Sequence, residues 1–549
     1  MPQQSASYAQ LVPLFTGTQV REAERPLLEA GHGPALMQKA ASGLAAEVAR
    51  SLRGRGRIYG ARVTALIGPG KNGGDALYAL SRLRRRGVRT RAVLVAQRCH
   101  EAALADFQKA GGLVDESVPE AQDVIIDAVL GTGALRRADP LAIPGLEAAL
   151  RGARAQATGC GDSRPEVIAC DIPSGVNADT GEVMSDYGLV ADRTVTFGAV
   201  KLGLVTGAGA VLSGQIHRVD IGLGPHLPET SARLLETPSS WDRTDTAGAA
   251  PPDARGIGSA AADSAASGAT VSPNAVSAIR PRGLDGQDHK YRRGVLHVVA
   301  GSAQYPGAAQ LSVAAAVTTG TGMVTLDSHA QVSARVTAAH PEVVAQRTEK
   351  ALQRATAVAL GPGLEGSAAE QESLERALDW SLSGGGPVVV DASGIGMLSP
   401  ERLQPGVLTQ DIVLTPHAGE LRALISRIER MRGTSILGEE DSGSPVASAQ
   451  AVAVYSGAVI LLKGAGTVIA DPDGSLIVHR CRTPGLATAG SGDVLTGVIG
   501  ALAAHDDQVR DMAALGSHIH AAAGHRIDPR GRGAFGASDL IEGIREYCR

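Results

Sequence analysis

The chain has 549 residues, 44% of them hydrophobic, with a formal net charge of −4 and a mean hydropathy of +0.02. That length exceeds what one hydrophobic core usually serves, so two or more domains of an ordinary globular protein are expected. The weak negative charge offers no general pull toward nucleic acid or an anionic membrane, and an aromatic share of 3% excludes a stacking platform for single strands.

The N-terminus, MPQQSASYAQLVPLF, has neither the basic region nor the apolar core of a signal peptide. No run of about 18 apolar residues occurs, so no membrane span and a cytoplasmic location are expected. Two helices open the chain, the second with Leu36, Ala40, Leu44 and Val48 on one face. Arg62–Ile67 reads as a short buried strand that ends in Gly68-Pro-Gly-Lys-Asn-Gly-Gly-Asp75, and helical spacing follows over Ala76–Arg86 through Leu77, Leu80 and Leu83. Arg91–Ala96, Val124–Val129 and Val167–Cys170 are further strands, each followed by a polar or glycine-rich turn. This alternation predicts a Rossmann-like, doubly wound, mostly parallel sheet over residues 1–243. Within it, Gly152–Arg164 reads as a loop insertion. The five cysteines (Cys99, Cys160, Cys170, Cys481 and Cys548) are scattered, form no CxxC pair, and read as reduced packing or surface thiols.

Residues 244–279 contain no aromatic residue and almost no aliphatic larger than Ala, so they read as a flexible linker. From 280 to 549 the same alternation restarts. Strands are expected at Val295–Ala300, Met323–Asp327, Val358–Leu360, Val388–Asp391 and Ile412–Leu414, with a helix at Ala308–Thr319. Gly433–Ser448 reads as a second loop insertion. Ala458–Lys463 and Thr467–Ala470 form strands joined by a tight turn, and an apolar helix follows at Val494–Leu502. The C-terminal half is thus a second α/β domain.

Four motifs of the first domain fall at strand ends, where open α/β sheets bind ligands. Gly68–Asp75 can bring backbone N–H groups to a phosphate at a helix start, or can be a plain tight turn. It fits neither G-x-G-x-x-G nor a P-loop. Asp127-Ala-Val-Leu-Gly-Thr-Gly133 and Asp171-Ile-Pro-Ser-Gly-Val-Asn177 each place an acid at a strand end, as a helix cap or as a catalyst. Thr196-Phe-Gly-Ala-Val-Lys201-Leu-Gly203 is the fourth. Carboxylate, amide and hydroxyl oxygens from separate loops can also hold a hard cation.

In this order the four motifs resemble those of the NAD(P)H-hydrate epimerases, over nearly all of residues 10–225. The resemblance implies interconversion of the R and S epimers of the hydrated nicotinamide dinucleotide. It places Lys71, Asn72, Gly73, Gly74 and Asp75, and Gly131, Thr132, Gly133, Ala134, Leu135, Arg136 and Arg137, against the dinucleotide, with Asp171 facing the reacting ring. Asn72, Asp127 and Ser174 would bind K+, and Lys201 would serve a charge or proton role. Lys71 stands where many members carry Asn, and Ala76 where Gly is usual.

In the second domain, Thr483-Pro-Gly-Leu-Ala-Thr-Ala-Gly-Ser-Gly-Asp-Val-Leu495 runs a glycine loop into an apolar helix, which makes an anion hole of backbone amides. Asp493 beside it can accept the proton of a hydroxyl that attacks a phosphoryl group; as structure alone, Gly492–Asp493 is a capped helix start. The loop resembles that of the ribokinase-like superfamily. Ala300–Ala309, Ala359–Leu364, Leu414–Glu420 and Leu462–Thr467 narrow the resemblance to the NAD(P)H-hydrate dehydratases, over about residues 280–545. It implies phosphorylation of the hydrate's ring hydroxyl by ADP with Mg2+, then loss of phosphate, which returns NAD(P)H from the S hydrate and releases AMP. Asp493 would be the base. Lys463, Gly464, Ala465, Gly466, Thr467 and Gly492 would contact the adenine nucleotide, and Ala308, Gly363 and His417 would line the hydrate site. His417 taken alone reads more readily as a satisfied structural histidine; inside Thr415-Pro-His-Ala-Gly-Glu420, after a strand and facing a glycine loop, it reads as a site residue. Ala418 replaces a frequent Pro, and Asp391-Ala-Ser-Gly-Ile replaces a DADAL-like run, which puts any role for a second acid at Ser393 in doubt.

Together the halves imply repair of NADH and NADPH hydrates, with small molecules as partners and a homo-oligomer as relatives suggest. A small-molecule kinase fused to a binding module is the alternative.

Overall fold

A computed structural model describes residues 9–96, 98–132, 164–183, 189–236, 277–279, 283, 286–438, 443–481, 483–529, 531 and 533–548. They form two compact α/β units. One is built from the described residues of 12–230 and 238–277, the other from those of 278–549 together with 1–11 and 231–237.

The N-terminal unit has one parallel sheet. Its strands lie in the order Leu113–Asp115, Arg89–Leu94, Arg62–Ile67, Val124–Ala128, Glu166–Cys170, Arg193–Phe197 and Gln215–Val219. The chain thus winds outward in one direction from Arg62–Ile67 and then in the other from Val124–Ala128. The crevice between those two strands is the switch point at which such sheets bind ligands. Helix Gly33–Gly54 buries Leu36, Ala40, Leu44 and Val48, as its spacing predicts. The next helix differs from the expectation: it spans Lys71–Arg84, so the glycine motif forms its first turns rather than preceding it. Glycine's poor helix propensity is outweighed by packing. A Cβ on Gly73 would stand 2.3 Å from the Gly68 carbonyl oxygen, so only glycine lets this turn lie against the strand end. The insertion expected at Gly152–Arg164 lies outside the described residues apart from Arg164.

The C-terminal unit has a parallel core ordered Val459–Leu462, Ile412–Leu414, Val388–Val390, Ala357–Leu360, Val295–Val299, Met323–Asp327 and Val344–Ala345. Gly466–Ala470 and Leu476–Arg480 extend it antiparallel, and Ala232–Glu236 then pairs parallel with Leu476–Arg480. Beyond Ala232–Glu236 the sheet continues to Ala9–Phe15 and then Ser277–Ile279. Residues 277–279 are therefore a strand rather than the end of a flexible linker, because Ile279 supplies a buried aliphatic anchor. The rest of the expected linker, 244–276, lies outside the described residues.

Helix Ser491–Ala503 is buried over most of its length and crosses helix Pro306–Thr319 closely: a Cβ on Gly497 would stand 2.1 Å from the Ser312 carbonyl oxygen. The second insertion is shorter than expected, since helix Pro445–Ser456 starts within it, with Ser444 Oγ capping the Ala447 N–H. Cys99, Cys170, Cys481 and Cys548 are free thiols, and no described helix is long and apolar enough to cross a membrane.

Candidate active sites

At the switch point of the N-terminal unit three loops close on one another. A Cβ on Gly68 would stand 1.8 Å from the Val129 carbonyl oxygen, so the first two loops meet only because residue 68 has no side chain. Asn72 ties them to the third: its Nδ2 donates to the carbonyls of Leu130 (3.1 Å) and Cys170 (2.8 Å). Asp127 is fully buried and accepts from the Ser174 N–H (2.8 Å) and the Ser174 hydroxyl (2.5 Å). The same hydroxyl accepts from the Leu130 N–H at 3.0 Å.

Burial pushes the Asp127 carboxyl up, against the hydrogen bonds from Ser174 and Val129. It has no ion-pair partner among the described residues. A monovalent cation held by oxygen atoms would suit such a buried acid, and the donors gathered around it are amide, hydroxyl and carbonyl groups. Among the described residues no three His, Cys, Asp or Glu side chains cluster as transition-metal ligands.

Asp171 has φ +67°, a left-handed conformation uncommon for a residue with a side chain. Three donors hold its carboxylate there: the Lys201 ammonium at 2.5 Å, and the Thr196 hydroxyl and Phe197 N–H at 3.2 Å each. Lys201 is only 1% exposed and also donates to Thr196 Oγ1 and the Phe197 carbonyl, both at 2.9 Å. The fourth motif is thus the clamp on the third. Lys71 is exposed, whereas Gly73, Gly74 and Asp75 are buried. Gly131 abuts the Asn72 amide, and the Thr132 carbonyl accepts from Arg21 Nη1 at 2.5 Å. Gly133, Ala134, Leu135, Arg136 and Arg137 lie outside the described residues. Arg21 and Glu24 were missed from sequence, because only the fold brings the first helix to these loops.

In the C-terminal unit, Gly490 has φ +86° and helix Ser491–Ala503 starts with no side-chain cap, which leaves its first backbone amides for an anion. Asp391, almost fully buried, accepts from Lys463 Nζ (2.6 Å), Thr415 Oγ1 (2.8 Å) and Thr496 Oγ1 (2.8 Å). A Cβ on Gly492 would lie 3.4 Å from Lys463 Nζ and 3.7 Å from Asp391 Oδ2, so the glycine loop, the lysine and the acid converge. Burial first, then the charge of Asp391, raises the Asp493 carboxyl to about 6, against Lys463. Ser312 Oγ donates to the Asp493 carbonyl at 3.0 Å, which fixes the loop against the helix that carries Ala308. Thr415 and Thr496 were not singled out from sequence; an isolated threonine carries no motif.

Ala308 and Gly363 are neighbours: a Cβ on Gly363 would stand 2.7 Å from that of Ala308. His417 is the N-cap of helix Ala418–Arg432. It bridges to Lys463, and its Nδ1 accepts from the N–H groups of Gly419 (2.9 Å) and Glu420 (3.2 Å) to cap helix Ala418–Arg432. With Nδ1 an acceptor, the neutral ring carries its proton on Nε2, on a side chain 60% exposed. The same ring thus caps the helix through Nδ1 while its Nε2 lies 3.5 Å from Glu420 Oε1. The turn Lys463–Thr467 is closed by Thr467 Oγ1 on the Gly464 carbonyl (3.2 Å) and by the Cys481 N–H on the Ala465 carbonyl (2.8 Å).

Two family models match the chain: one described as NAD(P)H-hydrate dehydratase over residues 296–545, and one described as YjeF-related protein N-terminus over residues 33–203. The bifunctional NAD(P)H-hydrate repair enzyme Nnr of Mycobacterium tuberculosis (strain ATCC 25618 / H37Rv) is 38% identical over 490 residues, 88% of each chain. That of Mycobacterium leprae (strain TN) is 37% identical over 510 residues, 92% of each. Among solved structures, the ADP/ATP-dependent NAD(P)H-hydrate dehydratase of Bacillus subtilis co-crystallised with ATP/Mg2+ is 28% identical with a TM-score of 0.41, covering 49% of this chain and 93% of its own.

Proposed function

The chain belongs to the bifunctional NAD(P)H-hydrate repair enzyme family, and we propose that its two sites divide that repair as follows. The N-terminal unit epimerises the R and S hydrates, and the C-terminal unit dehydrates the S hydrate at the expense of a nucleotide. The dehydratase match over 296–545 displaces the small-molecule kinase alternative.

The convergence of Asp493, Lys463 and uncapped amides on one glycine loop carries the dehydratase reading. Above pH about 6 the Asp493 carboxylate accepts the ring hydroxyl's proton as that oxygen bonds to the terminal phosphorus of ADP. The phosphoanhydride bond breaks and AMP leaves. The amides at Ser491–Asp493 and the Lys463 ammonium hold the charge on the transferred group. Loss of phosphate and of one ring proton then restores the dihydronicotinamide. Mg2+ would come in on the nucleotide's phosphates, since Asp391 is already engaged by Lys463 and two threonines. Lys463–Thr467 and Gly492 contact the nucleotide in this scheme, and Ala308, Gly363 and His417 the hydrate.

In the N-terminal unit Asp171 faces the reacting ring, and Lys71–Asp75 with the Gly131 loop hold the dinucleotide. Asn72, Asp127 and Ser174 would hold K+, which when bound would neutralise the buried Asp127 and stiffen the three loops. A cytoplasmic homo-oligomer acting on small molecules completes the proposal.

The test is an assay of mixed R and S NADH hydrate with ADP or ATP and magnesium. Full recovery of the NADH absorbance is expected. Recovery that stalls with the R form left over would remove the epimerase assignment, and release of a stable phosphorylated product would remove the dehydratase.

A further inference from the structure

In the scheme above Asp75 is one of the residues along the dinucleotide and takes no part in making or breaking a bond. It sits in the second turn of helix Lys71–Arg84, is 6% exposed, and has no hydrogen-bond or ion-pair partner among the described residues. The turn that carries it is pressed against the strand end that carries Asp171: Asn72 donates to the Cys170 carbonyl at 2.8 Å, and Cys170 Sγ lies 3.8 Å from the Asn72 carbonyl oxygen. Asp75 therefore faces the negative charges of Asp171 and, from the first helix, Glu24, with Lys71 opposing them. Burial, then those two charges, hold its carboxyl well above the usual carboxylate range. An enclosed acid whose carboxyl is pushed up by burial, next to one clamped by an ammonium group, is the arrangement that separates a proton donor from an acceptor.

We propose that Asp75 is the proton donor of the epimerisation, acting together with the Asp171 carboxylate; the proposal rests on the epimerase reading of this unit. Epimerisation inverts the carbon that bears the ring hydroxyl beside the ring nitrogen. Asp75 gives its proton to that hydroxyl oxygen. The C–O bond breaks, water leaves, and the nitrogen lone pair forms a C=N bond. A water molecule then adds to the other face of the flat carbon, its proton passes to Asp171, and the C=N electron pair returns to nitrogen. One water is lost and one gained. The net proton shift from Asp75 to Asp171 is undone by the reverse reaction or by exchange with solvent.

Glu24 is the competing donor, since burial and Asp171 raise it too. It is, however, partly exposed where Asp75 is enclosed.

The experiment uses the full chain and the R hydrate of NADH without nucleotide, with the two epimers separated by chromatography. Asp75→Asn keeps the volume and neutrality of the side chain but has no acidic proton. Its kcat for epimerisation should fall about a hundredfold or more, with KM within about threefold, and Asp75→Glu should recover part of the loss. Dehydration of the S hydrate with ADP should be unchanged. An Asp75→Asn enzyme within about threefold of wild-type kcat, or a loss carried by Glu24→Gln instead, would overturn the proposal while leaving the epimerase reading intact. A wild-type chain that does not epimerise sinks the reading and the proposal together. Should Asp75→Asn not fold, wild-type enzyme in water labelled with heavy oxygen decides: each inversion should bring one solvent oxygen into the hydrate, and retention of the original oxygen overturns the step.

Discussion

Asp493 shows how one residue sets stability against chemistry. Its carboxyl is raised from 3.8 to about 6 by burial and by Asp391, so the unfolded chain gives up this proton first as pH rises. The folded state is therefore penalised progressively from pH about 4 to about 6, and the penalty is complete above that. At about 1.4 kcal/mol per pKa unit the shift corresponds to roughly 3 kcal/mol, reduced to about 1–2 kcal/mol because Asp493 keeps some solvent contact. Asp493→Asn should melt higher than wild type near about pH 7, and the gap should close near about pH 4. In the wild type, kcat/KM for dehydration should rise about tenfold per pH unit below pH about 6 and level off above it. A profile that is flat through that range would take Asp493 out of the base role. Residue by residue, the sequence pointed to Asp493 because a doubled glycine before an acid is visible as a string. Asp391 was visible only as an acid leaving a strand. Its partners Thr415, Lys463 and Thr496 come from three separate segments, and their convergence depends on packing.

Among the elements, helix Ser491–Ala503 and its neighbour Pro306–Thr319 position the C-terminal site through a contact that only glycine permits. With a Cβ placed 2.1 Å from the Ser312 carbonyl oxygen, Gly497→Ala should force the helices apart and lower stability by about 1–3 kcal/mol, read by urea denaturation. It should also weaken dehydration, because Ser312 holds the Asp493 carbonyl. Gly396→Ala is the control: it is exposed in helix Ser393–Met397 with no atom within 4 Å of the added Cβ, so it should be neutral or stabilising by up to about 1 kcal/mol. Most strands were legible as apolar runs between turns, and Arg62–Ile67, Met323–Asp327 and Ile412–Leu414 appear with the expected bounds. The start of helix Lys71–Arg84 was not legible. Propensity argues against a helix through Gly73 and Gly74, and only their contact with Gly68 and His100 explains it.

For the whole molecule, two chemistries on two separate compact units predict separable losses. Asp493→Asn should abolish NADH recovery yet leave epimerisation intact, and Asp171→Ala should remove epimerisation while the S hydrate is still dehydrated. An Asp171→Ala chain that has lost both activities would contradict that division. Composition alone pointed to a break over residues 244–279, of which 277–279 form a strand and 244–276 lie outside the described residues; alternating strands and helices pointed to an α/β unit on each side of it. The sequence by itself thus determined the two-part organisation, the fold class and the family, because glycine loops and strand-end acids keep their spacing along the chain. It did not reveal that Ala9–Phe15 and Ala232–Glu236 pair at the edge of the C-terminal sheet, since strand pairing depends on which edge is open in space. Nor did it reveal the burial that pushes the Asp75 carboxyl up, or the clamp on Asp171. Those depend on burial and on charges brought close by folding, and no local pattern records either.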